Sequence, residues 1–250
     1  MNLDKIIAYY EYTQSFYGKW HGDTGGVHYG FWDEDVKTHN EALLNTNKIL
    51  AEEVNVTSED YVLDVGCGVG GSSIWLAENI GCNAHGITIV PSQVSKANEL
   101  SNKRKLTDKL VFSEQNFNHT NFSDDTFDCV FAVESACHAE DKSDFLEEMY
   151  RILKPGGRLV VSDIFLERET SSRNEERCLK EFLDGWVLYN LSSKRDFNID
   201  LNQIGFKQIK STDVTSLIHP DVKKIIQNEF AGLSCSESYR NVEFNLTYTN

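Results

Sequence analysis

The sequence predicts an α/β protein with a doubly wound, mostly parallel, seven-stranded sheet. Three observations carry that expectation. Between Tyr61 and Phe165, short apolar runs alternate with segments of helical periodicity. A glycine-rich turn, Gly66-Cys67-Gly68-Val69-Gly70-Gly71, joins the first run to the first helix. Two later runs, Phe206–Thr215 and Asn241–Thr249, are placed to pair antiparallel at a sheet edge.

The elements follow in order. Tyr61–Val65 reads as the first strand. Ser72–Ile80 sets Ile74, Ala77 and Ile80 at helical spacing. Ala84–Val90 is the second strand, and Pro91 opens the next helix, where its missing N–H costs little. Leu110–Glu114 is the third strand. Phe127–Val133, almost wholly apolar, is a fourth buried on both faces. Asp144–Leu153 carries an apolar stripe, and Lys154-Pro155-Gly156-Gly157 ends that helix. Arg158–Phe165 is the fifth strand. Two flanks surround this core. Residues 1–55 read as an aromatic lid followed by a helix at Glu41–Val54, and 56–250 as the core, with a polar helical cap insert at about 170–195. A further helix is expected near Asp221–Phe230.

Composition bounds the function. The chain has 250 residues with 40% hydrophobic and 25% charged, ordinary for a globular fold, and no apolar run long enough to span a bilayer. Met1 to Tyr10 shows no apolar segment behind a basic start, so no secretory leader is expected, and a cytoplasmic protein without a stable membrane anchor is. A net charge of -15, from 24 basic and 39 acidic side chains, repels nucleic acid. A small-molecule substrate is the expected partner, and a homodimer is compatible with the chain. The six cysteines form no C-x-x-C pair, so no metal site and reduced thiols are expected, with Cys129 and Cys137 as packing residues.

Ligands on such sheets bind beyond the carboxyl ends of the strands. The glycine turn there can approach an anion closely and aim helix N–H groups at it. Gly66, Gly68 and Gly71 satisfy G-x-G-x-x-G, but the acid that a nicotinamide cofactor requires after the second strand is replaced by Gly86-Ile87-Thr88. The wider string is L-D-V-G-C-G-x-G-G, then G-I-T-x-x-P-x-Q at 86–93, F-D-x-V at 127–130 and L-K-P-G-G-x-L at 153–159. It resembles the class I S-adenosylmethionine-dependent methyltransferases, in the branch of sterol C-methyltransferases and tocopherol methyltransferases. The resemblance covers roughly residues 9 to 215.

That resemblance implies a Rossmann-like methyltransferase fold and S-adenosylmethionine as cofactor, leaving as S-adenosylhomocysteine. It implies that Asp64, Gly66, Cys67, Gly68, Gly70 and Gly71 hold the methionine end. Thr88 and Gln93 would take the ribose, and Asn116 and Phe117 the adenine. Glu134 and His138, just past the fourth strand, lie in an E-x-x-x-H stretch similar to that of the same enzymes and are the expected catalytic pair. Their alternatives are a cofactor contact for Glu134 and a wall or capping residue for His138. The N-terminal aromatic stretch resembles the family lid and adds Tyr17 as a cofactor contact, with His28 and Tyr29 lining the substrate site; packing of the lid is the alternative. Asp163, Trp186 and Tyr189 are further substrate-lining candidates, against a solvated or capping acid and, for the two aromatics, plain helix packing.

The favoured reaction is methylation of an unsaturated carbon of an isoprenoid-type compound. N- or O-methylation of a small metabolite is the alternative, and a non-catalytic cofactor-binding module a remote third. Arsenite methylation is disfavoured for want of a cysteine set. Cyclopropane formation on lipids is opposed by the acidic charge.

Overall fold

The computed structural model describes residues 3–20, 22–168, 170–218 and 242–249; the side chains at 17, 19, 20, 242 and 243 fall outside it. The helix expected near Asp221–Phe230 also lies outside the described residues. The described elements are α1 (Leu3–Trp20), α2 (His39–Glu53), β1 (Tyr61–Val65), α3 (Gly71–Asn79), β2 (Asn83–Thr88), α4 (Pro91–Arg104), β3 (Leu110–Glu114), β4 (Phe127–Val133), α5 (Lys142–Ile152), β5 (Leu153–Leu166), α6 (Arg173–Trp186), α7 (Lys194–Ile204), β6 (Lys210–Asp213) and β7 (Val242–Tyr248).

The strands form one seven-stranded sheet in the order β3-β2-β1-β4-β5-β7-β6. β1 to β5 pair in parallel, while β7 runs antiparallel to both β5 and β6, as the edge pairing predicted. From β1 the chain winds outward to β2 and β3, then returns to β4 on the other side of β1. The crevice between β1 and β4 is the switch point.

Alternation along the strands divides the core. Val62, Phe131, Val160 and Leu246 face one side, packed with residues of α2, α3, α4 and α6. Leu63, Val65, Val130, Leu159 and Val161 face the other, packed with Phe145, Leu146 and Met149 of α5 and Phe197 and Leu201 of α7.

Local chemistry sets the helix starts. Thr38 and Glu41 close a reciprocal capping box on α2, Ser172 caps α6, and Ser193 caps α7. The stretch read only as an aromatic lid begins with an 18-residue helix, α1. Ile6 and Tyr10 turn inward at helical spacing, a signal masked by the polar and aromatic residues between. α7 was likewise not expected, although Phe197, Leu201 and Ile204 between Ser193 and Gly205 mark it.

Two expectations change. Lys154-Pro155-Gly156-Gly157 follows the helix end as expected but already belongs to the fifth strand, which was expected to begin only at Arg158. α5 stops at Ile152, and β5 begins at Leu153. Leu153 pairs with Phe127 and Arg158 with Cys129, so the intervening residues form an irregularity within the ladder. Cys178 is disulfide-bonded, so not all thiols are reduced; Cys67, Cys82, Cys129 and Cys137 are free and buried. Pairing depends on spatial proximity of two cysteines, which sequence spacing does not show. No helix among the described residues is long and apolar enough to cross a membrane.

The N-terminal flank is anchored at the glycine turn. A Cβ on Gly71 would stand 2.5 Å from the backbone carbon and oxygen of Gly25. The lid loop therefore rests directly on the first residue of α3, a fit that only glycine permits. Gly71→Ala is expected to destabilise the protein by about 1–3 kcal/mol, because backbone on both sides must move. Urea denaturation of the variant measures this.

Candidate active site

The carboxyl ends of β1, β2 and β4 and the residues following β3 converge on a cavity of about 250 Å³. Eight residues expected to hold the cofactor or act in catalysis line it: Gly66, Gly68, Thr88, Gln93, Asn116, Phe117, Glu134 and His138. A smaller chamber of about 80 Å³ adjoins it, and Tyr10, Val27, Glu134 and His138 belong to both walls. The second chamber brings in Tyr29, Asp163 and Trp186, all expected to line the substrate site, together with Phe182, Leu188 and Phe244.

The remaining expected residues stand elsewhere. His28 lines neither chamber; its Nδ1 lies 2.9 Å from the Tyr29 carbonyl oxygen, and burial lowers its pKa. The side chain of Tyr17 lies outside the described residues. Asp64 is buried beneath the glycine turn, where Oδ2 accepts from the Ser73 N–H at 3.1 Å and the Ser73 hydroxyl at 2.7 Å. Burial raises its pKa to about 6, opposed by the two Ser73 bonds. It ties β1 to the first turn of α3 rather than facing the cavity. Cys67 is buried under the turn, and Gly70 caps α3.

The cavity fits the cofactor that the motifs imply. Gly68 has φ +53, and a Cβ there would meet only Val27 Cγ2, at 3.7 Å. The space above it is open to a ligand that must approach the backbone. Asn118 Oδ1 and Ser135 Oγ, in the lining, are buried without a hydrogen-bond partner. Such orphaned groups are costly unless a ligand meets them. Asn118 was not expected; Asn116 Oδ1 is occupied by the Asn118 N–H at 3.0 Å, which leaves Asn118 Oδ1 as the acceptor beside Phe117. On the ribose side, the Thr88 hydroxyl donates to Gln93 Oε1 at 2.7 Å and thereby orients the Gln93 amide.

Glu134 is the central feature. Directly after β4 it adopts φ +48, a left-handed conformation rare for a side chain of this size. Its N–H donates to the Ser162 carbonyl at 2.8 Å, and its Oε1 accepts from the Tyr29 N–H at 2.7 Å. Backbone strain of this kind, about 1–3 kcal/mol, persists where surrounding contacts over-determine it. Burial pushes the Glu134 pKa up to about 8; the Tyr29 N–H opposes the rise and the negative Asp163 adds to it.

His138 follows in a short 3₁₀ turn, Ala136–His138. Its Nε2 stands 2.8 Å from the Tyr10 hydroxyl, and the rings meet edge to face. Burial lowers its pKa to about 4. Nδ1 has no close hydrogen-bond partner, although the Val187 carbonyl is near enough to oppose the shift. The imidazole is therefore neutral at physiological pH. Asp163 Oδ2 accepts from the Cys137 N–H at 2.9 Å, so this acid also holds the turn. Tyr189, expected with Trp186 at the cap, lines the cofactor cavity, whereas Tyr10, Val27, Ser135 and Phe244 line the site without having been singled out by their local sequence.

A methyltransferase-domain family model matches residues 63–161. Methyltransferase GfsG of Streptomyces halstedii is 36% identical over 79% of this chain and 71% of its own length. The chloroplastic tocopherol O-methyltransferase of Arabidopsis thaliana is 34% identical over 86% of this chain and 66% of its own length. Sterol 24-C-methyltransferase of Kluyveromyces lactis is 32% identical over 66% of this chain and 45% of its own length. The fold is shared with geranyl diphosphate C-methyltransferase from Streptomyces coelicolor A3(2), at a TM-score of 0.78 and 18% identity over 96% of this chain and 97% of that one.

Placing a valine at Gly68 is expected to abolish S-adenosylhomocysteine binding in calorimetric titration, since a side chain would fill the open space and strain φ. Retained micromolar affinity would refute that placement. The motif string, the glycine cradle at the switch point and the relatives agree: the chain belongs to the class I S-adenosylmethionine-dependent methyltransferases, in the branch that includes sterol C-methyltransferases and tocopherol methyltransferases.

Proposed function

We propose that this enzyme methylates an apolar small molecule, with an unsaturated carbon of an isoprenoid-type compound as the favoured acceptor. The observation that carries this reading is the second chamber. Its wall is mostly aromatic and aliphatic, it adjoins the cofactor cavity, and a buried carboxyl group, Glu134, lines both. The names of the sterol and tocopherol relatives, and of the geranyl diphosphate enzyme that shares the fold, support an isoprenoid acceptor.

The cofactor supplies an electrophilic methyl group. The protein's own part is positioning, since an in-line displacement gains most of its rate from alignment. Gly68, Ser135, Gln93 and Asn118 are placed to hold the cofactor. Phe182, Trp186, Leu188 and Phe244 are placed to hold the acceptor and exclude water. When an alkene carbon takes the methyl group, the adjacent carbon becomes cationic. The faces of Tyr10, Tyr29 and Trp186 favour such charge. The ionised Glu134 then takes the proton from the neighbouring C–H: its carboxylate forms an O–H bond, and the C–H electron pair becomes the new double bond. Neutral His138 holds the Tyr10 hydroxyl and so fixes α1 over the site.

A second reading, N- or O-methylation of a small amine or phenol, is favoured by the same raised Glu134 pKa. A carboxylate with proton affinity near neutrality is suited to remove an ammonium or phenol proton.

Transfer of labelled methyl groups to a panel of a side-chain-unsaturated sterol, a tocopherol, geraniol and a hydrophobic secondary amine separates the readings. Glu134→Gln retains an acceptor for the Tyr29 N–H. It is expected to leave S-adenosylhomocysteine affinity within about threefold while lowering turnover roughly 10²–10⁴-fold. Collapse of that affinity instead would make Glu134 a cofactor ligand. The base is the ionised form, so wild-type turnover should rise as pH climbs through about 8, and this limb should vanish in the variant. Asp163, Tyr29, Tyr10 and His138 share the Glu134 chamber, and Asp163 is the negative charge that raises this midpoint.

A further inference from the structure

Lys142 is the first residue of α5 and is buried. Both facts count against it. A cation at a helix N-terminus opposes the helix dipole, and burying an ammonium is costly unless every donor is met. Its three donors are met by carbonyl oxygens: Cys137 at 3.0 Å, Ala139 at 2.5 Å and Asn190 at 3.5 Å. The first two belong to the turn that follows Glu134 and contains His138. The third belongs to the loop after α6, in the cap.

The Cys137 residue is thus gripped at both ends of its backbone. Asp163 accepts from its N–H, and Lys142 donates to its carbonyl. The cap loop carries a second tie, because Asn190 Nδ2 donates to the Glu140 carbonyl at 2.7 Å. Its neighbours Leu188 and Tyr189 line the acceptor chamber and the cofactor cavity respectively. A cation placed where it costs stability, yet fully bonded to two segments of the site, is a local compromise of the kind found at functional positions.

We propose that Lys142 is a positioning residue that joins the cap loop at Asn190 to the turn carrying His138, so that seating of the cap over the acceptor and alignment of Glu134 and His138 occur together. This rests on the assignment of Glu134 and His138 to the reaction. Lys142 touches neither chamber and acts through the Cys137 and Ala139 carbonyls. When the cap lifts, the ammonium loses one acceptor, and the turn loses a support it shares with the cap.

The test uses the whole chain with S-adenosylhomocysteine bound. Lys142→Met keeps most of the stem volume and removes the donors. Lys142→Gln leaves at most two donors on a shorter stem, so the span to the Asn190 carbonyl is lost, and it decides the question if Lys142→Met does not fold. Both variants are expected to bind S-adenosylhomocysteine within about twofold of wild type. In both, backbone amides of 135–139 and of 187–191 should exchange hydrogen faster together, on the order of tenfold. For each compound of the sterol, tocopherol, geraniol and amine panel that is methylated, kcat should fall about tenfold or more in Lys142→Met, with KM changed less than about twofold. Faster exchange in only one of the two segments, wild-type exchange in Lys142→Gln, a tenfold loss of S-adenosylhomocysteine affinity, or a rise in KM alone would each overturn the proposal. Hydrogen exchange needs no acceptor, so a wrong acceptor class would show as a silent panel beside a positive exchange result.

Discussion

A single buried carboxyl group, Glu134, organises the site. It stands where β4 leaves the sheet, at the switch point beside β1, in a left-handed conformation. Two bonds hold it there: its N–H on the Ser162 carbonyl of β5, and its Oε1 under the Tyr29 N–H of the N-terminal strap. The strap is fastened to α2, with the Phe31 N–H on the Ala42 carbonyl at 3.1 Å and Asn45 Nδ2 on the Phe31 carbonyl at 3.0 Å. The edge of the sheet and the covering N-terminal segment are therefore joined at Glu134, as they are at His138 through the Tyr10 hydroxyl. Loss of the strap would uncover Glu134 and lower its raised proton affinity, because burial is the main cause of the shift.

In the proposed assignment the cofactor cavity and the acceptor chamber differ in chemistry. Around the cavity, the glycine turn offers close backbone approach, and buried polar atoms lack partners at Asn118 and Ser135. The chamber is walled mainly by rings and aliphatic side chains. That wall is shared among three parts of the chain: the strap through Tyr29, the cap through Phe182, Trp186 and Leu188, and the edge strand through Phe244. The sheet edge supplies the frame, and in the proposed reading acceptor choice resides in the segments added around it, as expected where chemistry is grafted on a widely used fold.

The protonation states fit together. Burial keeps His138 neutral and Glu134 close to the boundary of ionisation near pH 8. The neutral imidazole can pair with the Tyr10 hydroxyl and so seat α1, whereas an imidazolium would offer only donors. One environment thus suits Glu134 to the proposed role of proton acceptor and keeps His138 paired with Tyr10.

Much was legible in the residues alone. The alternation of apolar runs and helical stripes, with the glycine turn, determined the doubly wound sheet, because burial periodicity is a local property of the chain. The string from Leu63 to Gly71, with Gly86–Gln93 and Leu153–Leu159, carried the family and its cofactor, because close backbone approach and helix capping demand particular residues at particular places. Glu134 and His138 were legible as residues at the end of a strand. What only the tertiary structure decided was their partners and their surroundings. Tyr10, Tyr29, Phe244 and Asn190 come from segments far apart in the chain. The turning of Asp64 and His28 away from the cavity, the freeing of Asn118 by Asn116, and the pairing of Cys178 all depend on distances across the fold. Desolvation, which sets the pKa values of Glu134 and His138, is a sum over every group packed around them, and no spacing in the sequence reports it.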